Sequence, residues 1–255
     1  ARLQRSAHGA RLTGNAIRFW TEELNRLEPV AAGVRGERRT ASLRSVAMDT
    51  AVHVIAGRHG VSAATVYLAA TAGLLGALTG ARVAGLRTVV SNRFYPDRRD
   101  VVAAIAQDGV LVLDLAAPTF GDLVQLARRE TMRSHRFARY DPDLLADSVS
   151  TAPFACFDDS RLFRRDVPAL PEESALRASA ERSSLTWSRT PDRNAFAVLV
   201  DGTGVTVRAD TGLMAEADLD RWLRALEGLL ISAAYRDVAT GELAALLGRI
   251  GRRPA

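Results

Sequence analysis

Residues 101–115 read VVAAIAQDGVLVLDL, an apolar run broken once, at Ala106-Gln107-Asp108-Gly109. A buried strand continues its Val/Leu/Ile pattern, because an amide or carboxylate left unpaired in a core costs about 1–3 kcal/mol. The break therefore has two readings. Either two elements meet here at a turn, or the polar pair lines a site. The uninterrupted Val110-Leu111-Val112-Leu113 that follows predicts a core strand beginning just after a turn.

The neighbouring segments supply what such a strand packs against. Ser62 is an N-cap for residues 62–80, SAATVYLAATAGLLGALTG, a helix apolar nearly all round that stops at Gly80. A helix of that character lies inside a protein. Leu86–Ser91 reads as a strand by its β-branched content, and Asn92–Asp97 as a loop leaving the sheet rim. Thr119 caps a helix over 120–138, and Asp141-Pro142 starts another to about 149.

Towards the N-terminus, Ile17, Trp20, Leu24 and Leu27 fall at helical spacing within residues 14–27. Residues 31–42, AAGVRGERRTAS, read as a connector. Leu43–Met48 reads as a short strand, with Asp49 capping a helix over 50–59. Towards the C-terminus, Phe154–Asp158 is a candidate strand and residues 164–183, polar with two prolines, a mobile excursion. Strands follow at 184–189, 195–200 and 204–209, the last pair joined by the hairpin signal Asp201-Gly202. Glu216–Tyr235 closes with a leucine stripe, and residues 236–255 read as a tail. Strands and helices mixed in this order predict an α/β sandwich, a mixed sheet with helices on one face.

Composition narrows the function classes. With 255 residues, 47% hydrophobic and 25% charged, the chain can build a substantial core. The formal charge is +5, and all 34 basic residues are Arg, interspersed with 29 acidic ones. That reads as a dispersed solvated surface, and Arg128-Arg129 is too short a cluster to argue for nucleic acid. No membrane-span run and no secretion signal occur, so the expectation is a cytoplasmic protein with neither nucleic-acid nor membrane partner. The single Cys156 excludes an internal disulfide and reads as a small core hydrophobe. His8, His53, His59 and His135 form no ligand-spaced pair, no phosphate loop is present, and no hydrolase signature appears. The expectation is no metal, no bound cofactor and no complete catalytic constellation.

The order of segments is more telling. Trp20-Thr21-Glu22-Glu23-Leu24 in an opening helix, a long Ala/Leu helix, then Thr88-Val89-Val90-Ser91-Asn92-Arg93 resembles the second half of nonribosomal peptide synthetase condensation domains. That family carries Val/Ile-Gly-x-Phe-Val-Asn-Thr followed by a strand ending in a Val-Asp-Leu-like triplet. Val102–Asp108 and Leu113-Asp114-Leu115 stand in register, with Ala103 for Gly and Gln107-Asp108 for Asn-Thr. Ala138–Pro142 loosely resembles the family's His-Gln-Asp-Tyr-Pro element, and the resemblance spans residues 14–235.

What the resemblance implies is a chloramphenicol acetyltransferase-like fold of two α/β lobes around a tunnel. There an acceptor amine attacks a thioester carried on phosphopantetheine or coenzyme A. The family's His-His-x-x-x-Asp-Gly motif precedes the segment matching Trp20 and is not found here. The chain thus resembles the C-terminal lobe alone, one domain with entry helix 14–27 and core 43–235. Its implied partners are an N-terminal lobe, in the same or another chain, and a carrier protein. Asn92, Arg93, Gln107 and Asp108 are the candidate tunnel or lobe-interface residues, with Arg93 an ion-pair partner for the motif's Asp. The implied activity is amide or ester formation by an acyltransferase. The alternatives are a non-catalytic domain recruiting a carrier protein or tailoring oxygenase, and a stand-alone acyltransferase using coenzyme A.

Overall fold

The computed structural model describes residues 6–27, 36–149, 155–161, 167–189, 196–202 and 204–248. Its centre is a seven-stranded mixed sheet formed by β1 (Arg38–Arg44), β2 (Val83–Val90), β3 (Gln107–Asp114), β4 (Ala155–Asp159), β5 (Ser184–Ser188), β6 (Phe196–Asp201) and β7 (Gly204–Asp210), in the order β3-β2-β4-β6-β7-β1-β5. β4 runs parallel to both β2 and β6, and the remaining pairs are antiparallel.

One face carries the main core. Alternate strand residues point to opposite faces, and Leu43, Leu86, Leu111, Leu113, Phe157, Val198 and Val207 all join one apolar cluster. Over that face lie α2 (Val46–His59), α3 (Ala63–Thr79), α4 (Phe120–Arg136) and α7 (Glu216–Tyr235). Ser62 caps α3 by accepting from the Thr65 amide at 3.2 Å, and Gly80, at φ 75°, ends it in the left-handed conformation that glycine adopts freely. Thr119 caps α4 through the Asp122 amide.

The other face has a smaller cover at the β3 end. Val110 follows the opposite side of β3 from Leu111 and packs with Phe19 and Trp20 of α1 (Ala7–Leu24) and with Leu145 of α5 (Pro142–Ser148). α1 is fastened to α4 by Glu23, whose carboxylate is 1% exposed and takes Arg133 at 2.9 Å and Arg26 at 2.6 Å. Gly85 of β2 leaves room for Leu27, since a Cβ there would stand 2.5 Å from the leucine's Cδ1.

Several boundaries differ from the sequence reading for local reasons. Gln107 and Asp108 are not in a turn: they open β3, paired with Val90 and Val89. Arg38–Ser42, read as connector, belong to β1, whose Ala41 is buried against the helices. Residues 46–48 belong to α2, because Ser45, not Asp49, supplies the cap, accepting from the Met48 amide at 3.0 Å. The polar excursion contains α6 (Glu173–Ala180), held by buried Leu176, while residues 162–166 lie outside the described residues, as does Phe154. Residues 240–247 form a 3-10 turn and α8 (Leu243–Leu247), whose two end leucines are buried in the main core. Among the described residues, no single helix is long and apolar enough to cross a membrane.

Candidate functional site

β2 and β3 are antiparallel neighbours, which a two-residue turn could join, yet residues 91–106 intervene. A connection this long in a compact domain marks a functional loop more often than a structural one. Here it forms one wall of a half-open groove of 590 Å³, lined by Leu12 and Thr13 of α1, Ala103–Asp108, Arg98, Arg139 and Tyr140.

The loop is held from inside by Asn92. That residue is fully buried and takes φ 57°, the only non-glycine at positive φ among the described residues. Asn tolerates this conformation better than most residues. Its Nδ2 donates to the Ile105 carbonyl at 3.2 Å and the Ala138 carbonyl at 2.8 Å, tying the loop to the α4–α5 connection.

Arg93 holds the loop from outside. Its guanidinium donates to the carbonyls of Val101 at 2.7 Å, Ala103 at 3.2 Å and Arg99 at 3.5 Å. The group expected to face another lobe thus serves here as the loop's own fastener. Arg93→Ala is expected to leave the fold intact and raise amide hydrogen exchange over residues 99–105 by about tenfold, as three carbonyl contacts are lost. Unchanged protection would show that the loop is held without it.

Gln107 and Tyr140 form a reciprocal pair. Gln107 Nε2 donates to the Tyr140 carbonyl at 2.7 Å, and the Tyr140 amide donates to Gln107 Oε1 at 3.3 Å. The Tyr140 hydroxyl donates to the Asp108 carbonyl at 2.8 Å. Burial, reinforced by the nearby Asp108 charge, pushes the Tyr140 phenol above its usual range, so it is neutral and acts as a donor. The Asp108 carboxylate lies 3.7 Å from Arg87, whose guanidinium also points at the Cys156 sulfur, 3.0 Å from Nη2. Cys156 is therefore half-buried beside a cation rather than a dry core group.

All four sequence-nominated residues converge on this loop and groove. Gln107 and Asp108 line the groove, whereas Asn92 and Arg93 brace its wall. Sequence reasoning missed Arg87, Arg98, Arg139 and Tyr140 as site residues. Only the Ala138–Pro142 signal could have drawn attention to two of them, Arg139 and Tyr140. Arg139 lies 4.3 Å over the Tyr95 ring, and Phe94 stacks on His135 at 5.7 Å. Burial pushes the His135 imidazole below its usual pKa, disfavouring the charged form.

Chemically, the groove offers two arginines, an ion-paired carboxylate and one side-chain amide, Gln107, already engaged with backbone. No histidine lines it. It can hold and orient a ligand, but it presents no free general base. Among the described residues, no group of three or more His, Cys, Asp or Glu could hold a metal ion.

No protein-family model matches the sequence, and no curated protein matches it. Solved structures do. The first condensation domain of the calcium-dependent antibiotic synthetase, in complex with a substrate analogue, aligns at TM-score 0.64 and 16% identity, over 94% of this chain and 54% of that one. A complex of the X-domain and OxyB from teicoplanin biosynthesis matches at TM-score 0.66 and 14% identity, over 94% and 58%. PapA2 acyl transferase matches at 0.60 and 13%, over 91% and 53%. The chain spans about half the length of each. Its seven-stranded mixed sheet and covering helices have the chloramphenicol acetyltransferase-like fold, matching about half of a condensation domain.

Proposed function

We propose that this chain is the C-terminal half of a condensation-type acyltransferase, forming an amide or ester from a thioester donor held on a carrier protein or coenzyme A. The supporting observation is the braced groove between α1 and residues 103–108 in a chain with half of a condensation-domain fold. In the reaction the acceptor nitrogen attacks the thioester carbonyl, the C–N bond forms, the C–S bond breaks, and the nitrogen's proton leaves with the thiol. Residues of this half contribute positioning, which alone lowers such barriers by several kcal/mol. In this reading the proton acceptor is supplied from outside the groove, whose lining includes no histidine and whose one carboxylate, Asp108, faces Arg87.

The test is amide formation by the full-length protein from a carrier-bound acyl donor and a free amine, read by mass spectrometry. Ala104→Trp, at an exposed groove position, is expected to cut turnover at least about tenfold by occupying substrate space. Turnover insensitive to that bulk would place the reaction elsewhere.

A second reading is a non-catalytic domain that recruits an oxygenase. It draws on the engagement of Asn92 and Gln107 with backbone, which leaves little polar chemistry in the groove, and on the X-domain likeness. Absence of acyl transfer with every donor, together with a stable oxygenase complex in size-exclusion chromatography, would favour it.

A further inference from the structure

The polar side chains that line the groove are committed, with one exception. Gln107 is paired with the Tyr140 backbone, the Tyr140 hydroxyl donates to the Asp108 carbonyl, and Thr13 Oγ1 accepts from the Asp141 amide at 2.9 Å. The Asp108 carboxylate faces Arg87, and Arg98 is engaged as well. Arg139 is the exception. Among the described residues it makes no hydrogen bond or ion pair, and its Nε is buried without a partner. The guanidinium is half-buried in the groove wall, 4.3 Å over the Tyr95 ring.

A cation drawn partly out of water without an acid partner is costly, and the aromatic ring offsets only part of that cost. An anion entering the groove restores the missing partner. The Tyr95 contact also restrains the guanidinium beforehand, so engaging it costs little ordering. Its fork matches the two oxygens of a carboxylate. Leu12, Ala103, Ala104 and Ala106 line the same groove and suit an apolar chain attached to that anion. A single negative charge fits better than a phosphate dianion. Asp108 lines the groove too, and its repulsion of a dianion is about twice that of a carboxylate at equal distance.

We infer that Arg139 is the anion subsite of the groove and holds the carboxylate of an untethered amino-acid acceptor, whose amine is then presented to the thioester. This rests on the acyl-transfer reading, and two arms of one experiment separate them. In the first, affinities of the full-length protein for hexanoate, hexanamide and hexyl phosphate are read by ligand-observed NMR. The native protein is compared with Arg139→Gln, Arg139→Lys and Arg136→Gln. Arg136 is exposed at the end of α4 and controls for net charge. In the second arm, turnover is measured with an acyl-loaded carrier protein and a panel of amino acids, each paired with its carboxamide.

The native protein is expected to bind hexanoate about tenfold or more tightly than hexanamide. Arg139→Gln loses that preference, Arg139→Lys keeps the charge without the fork and retains part of it, and Arg136→Gln leaves it intact. In turnover, replacing carboxylate by carboxamide raises KM about tenfold, and Arg139→Gln erases the difference at unchanged kcat. If no acceptor is acylated while the hexanoate preference depends on Arg139, the acyl-transfer reading fails and the anion subsite stands. If acids and amides are acylated alike, the reading stands and the acceptor carboxylate is refuted. The subsite is overturned by a native protein that does not prefer hexanoate, a result that needs no variant to fold. It is overturned equally by a preference that survives Arg139→Gln, or by hexyl phosphate binding more than about tenfold tighter than hexanoate.

Discussion

Gly204→Ala is expected to destabilise the protein by about 2–4 kcal/mol, read as a lower urea midpoint at unchanged slope. Gly204 opens β7 at φ 149°, a backbone conformation that side-chain-bearing residues rarely adopt. A Cβ there would stand 2.2 Å from the Leu43 carbonyl oxygen. The obstacle is backbone held in the β1–β7 pairing, at the end pair of Leu43 with Val205, so it cannot rotate aside like a side-chain tip. Gly202, two residues earlier in the same hairpin, has open space around the equivalent position. Gly202→Ala is expected to change stability by about 0.5 kcal/mol or less. Equal losses at both positions would mean that the hairpin resists any added side chain and that the Leu43 contact is not the cause.

Asn92→Ala is expected to cost about 2–4 kcal/mol by combining two separable effects. The substitution leaves the Ile105 and Ala138 carbonyls without their donor, and it places alanine in the left-handed region. Asn92→Gly removes the same hydrogen bonds but tolerates φ 57°, so it is expected to be about 1 kcal/mol more stable than the alanine variant. In both variants hydrogen exchange over residues 103–106 rises, because the buried tie to the α4–α5 connection is gone. If alanine and glycine variants were equally stable, backbone strain would have no part at this position.

Much of the architecture was legible before folding. The caps Ser62 and Thr119, the terminator Gly80 and the apolar run Val110–Leu113 are local signals, set by orphan helix amides, glycine's conformational freedom and hydrophobic burial. Where reading failed, the deciding contact was remote in sequence. Arg38–Ser42 look like connector because their alternation is polar, and they become strand through pairing with β7 and β5 on either side. Leu243 and Leu247 read as part of a tail, yet they end buried in the main core.

The site divides in the same way. Asn92, Arg93, Gln107 and Asp108 were nominated through the resemblance, as strand-end and turn residues at a tunnel or lobe interface; the structure puts Gln107 and Asp108 in the strand, paired with Val90 and Val89. Their roles were not readable, since each depends on which carbonyl comes within reach: Ala138 for Asn92, Val101 for Arg93, Tyr140 for Gln107. By itself, the sequence determined most of the secondary elements, the position of the polar break and a segment order resembling half of a condensation domain. Only the tertiary structure decided that the break opens a strand and that its Gln107 amide fastens the groove wall to Tyr140. Strand pairing and loop closure bring together residues far apart in the chain, and no local sequence pattern carries that proximity.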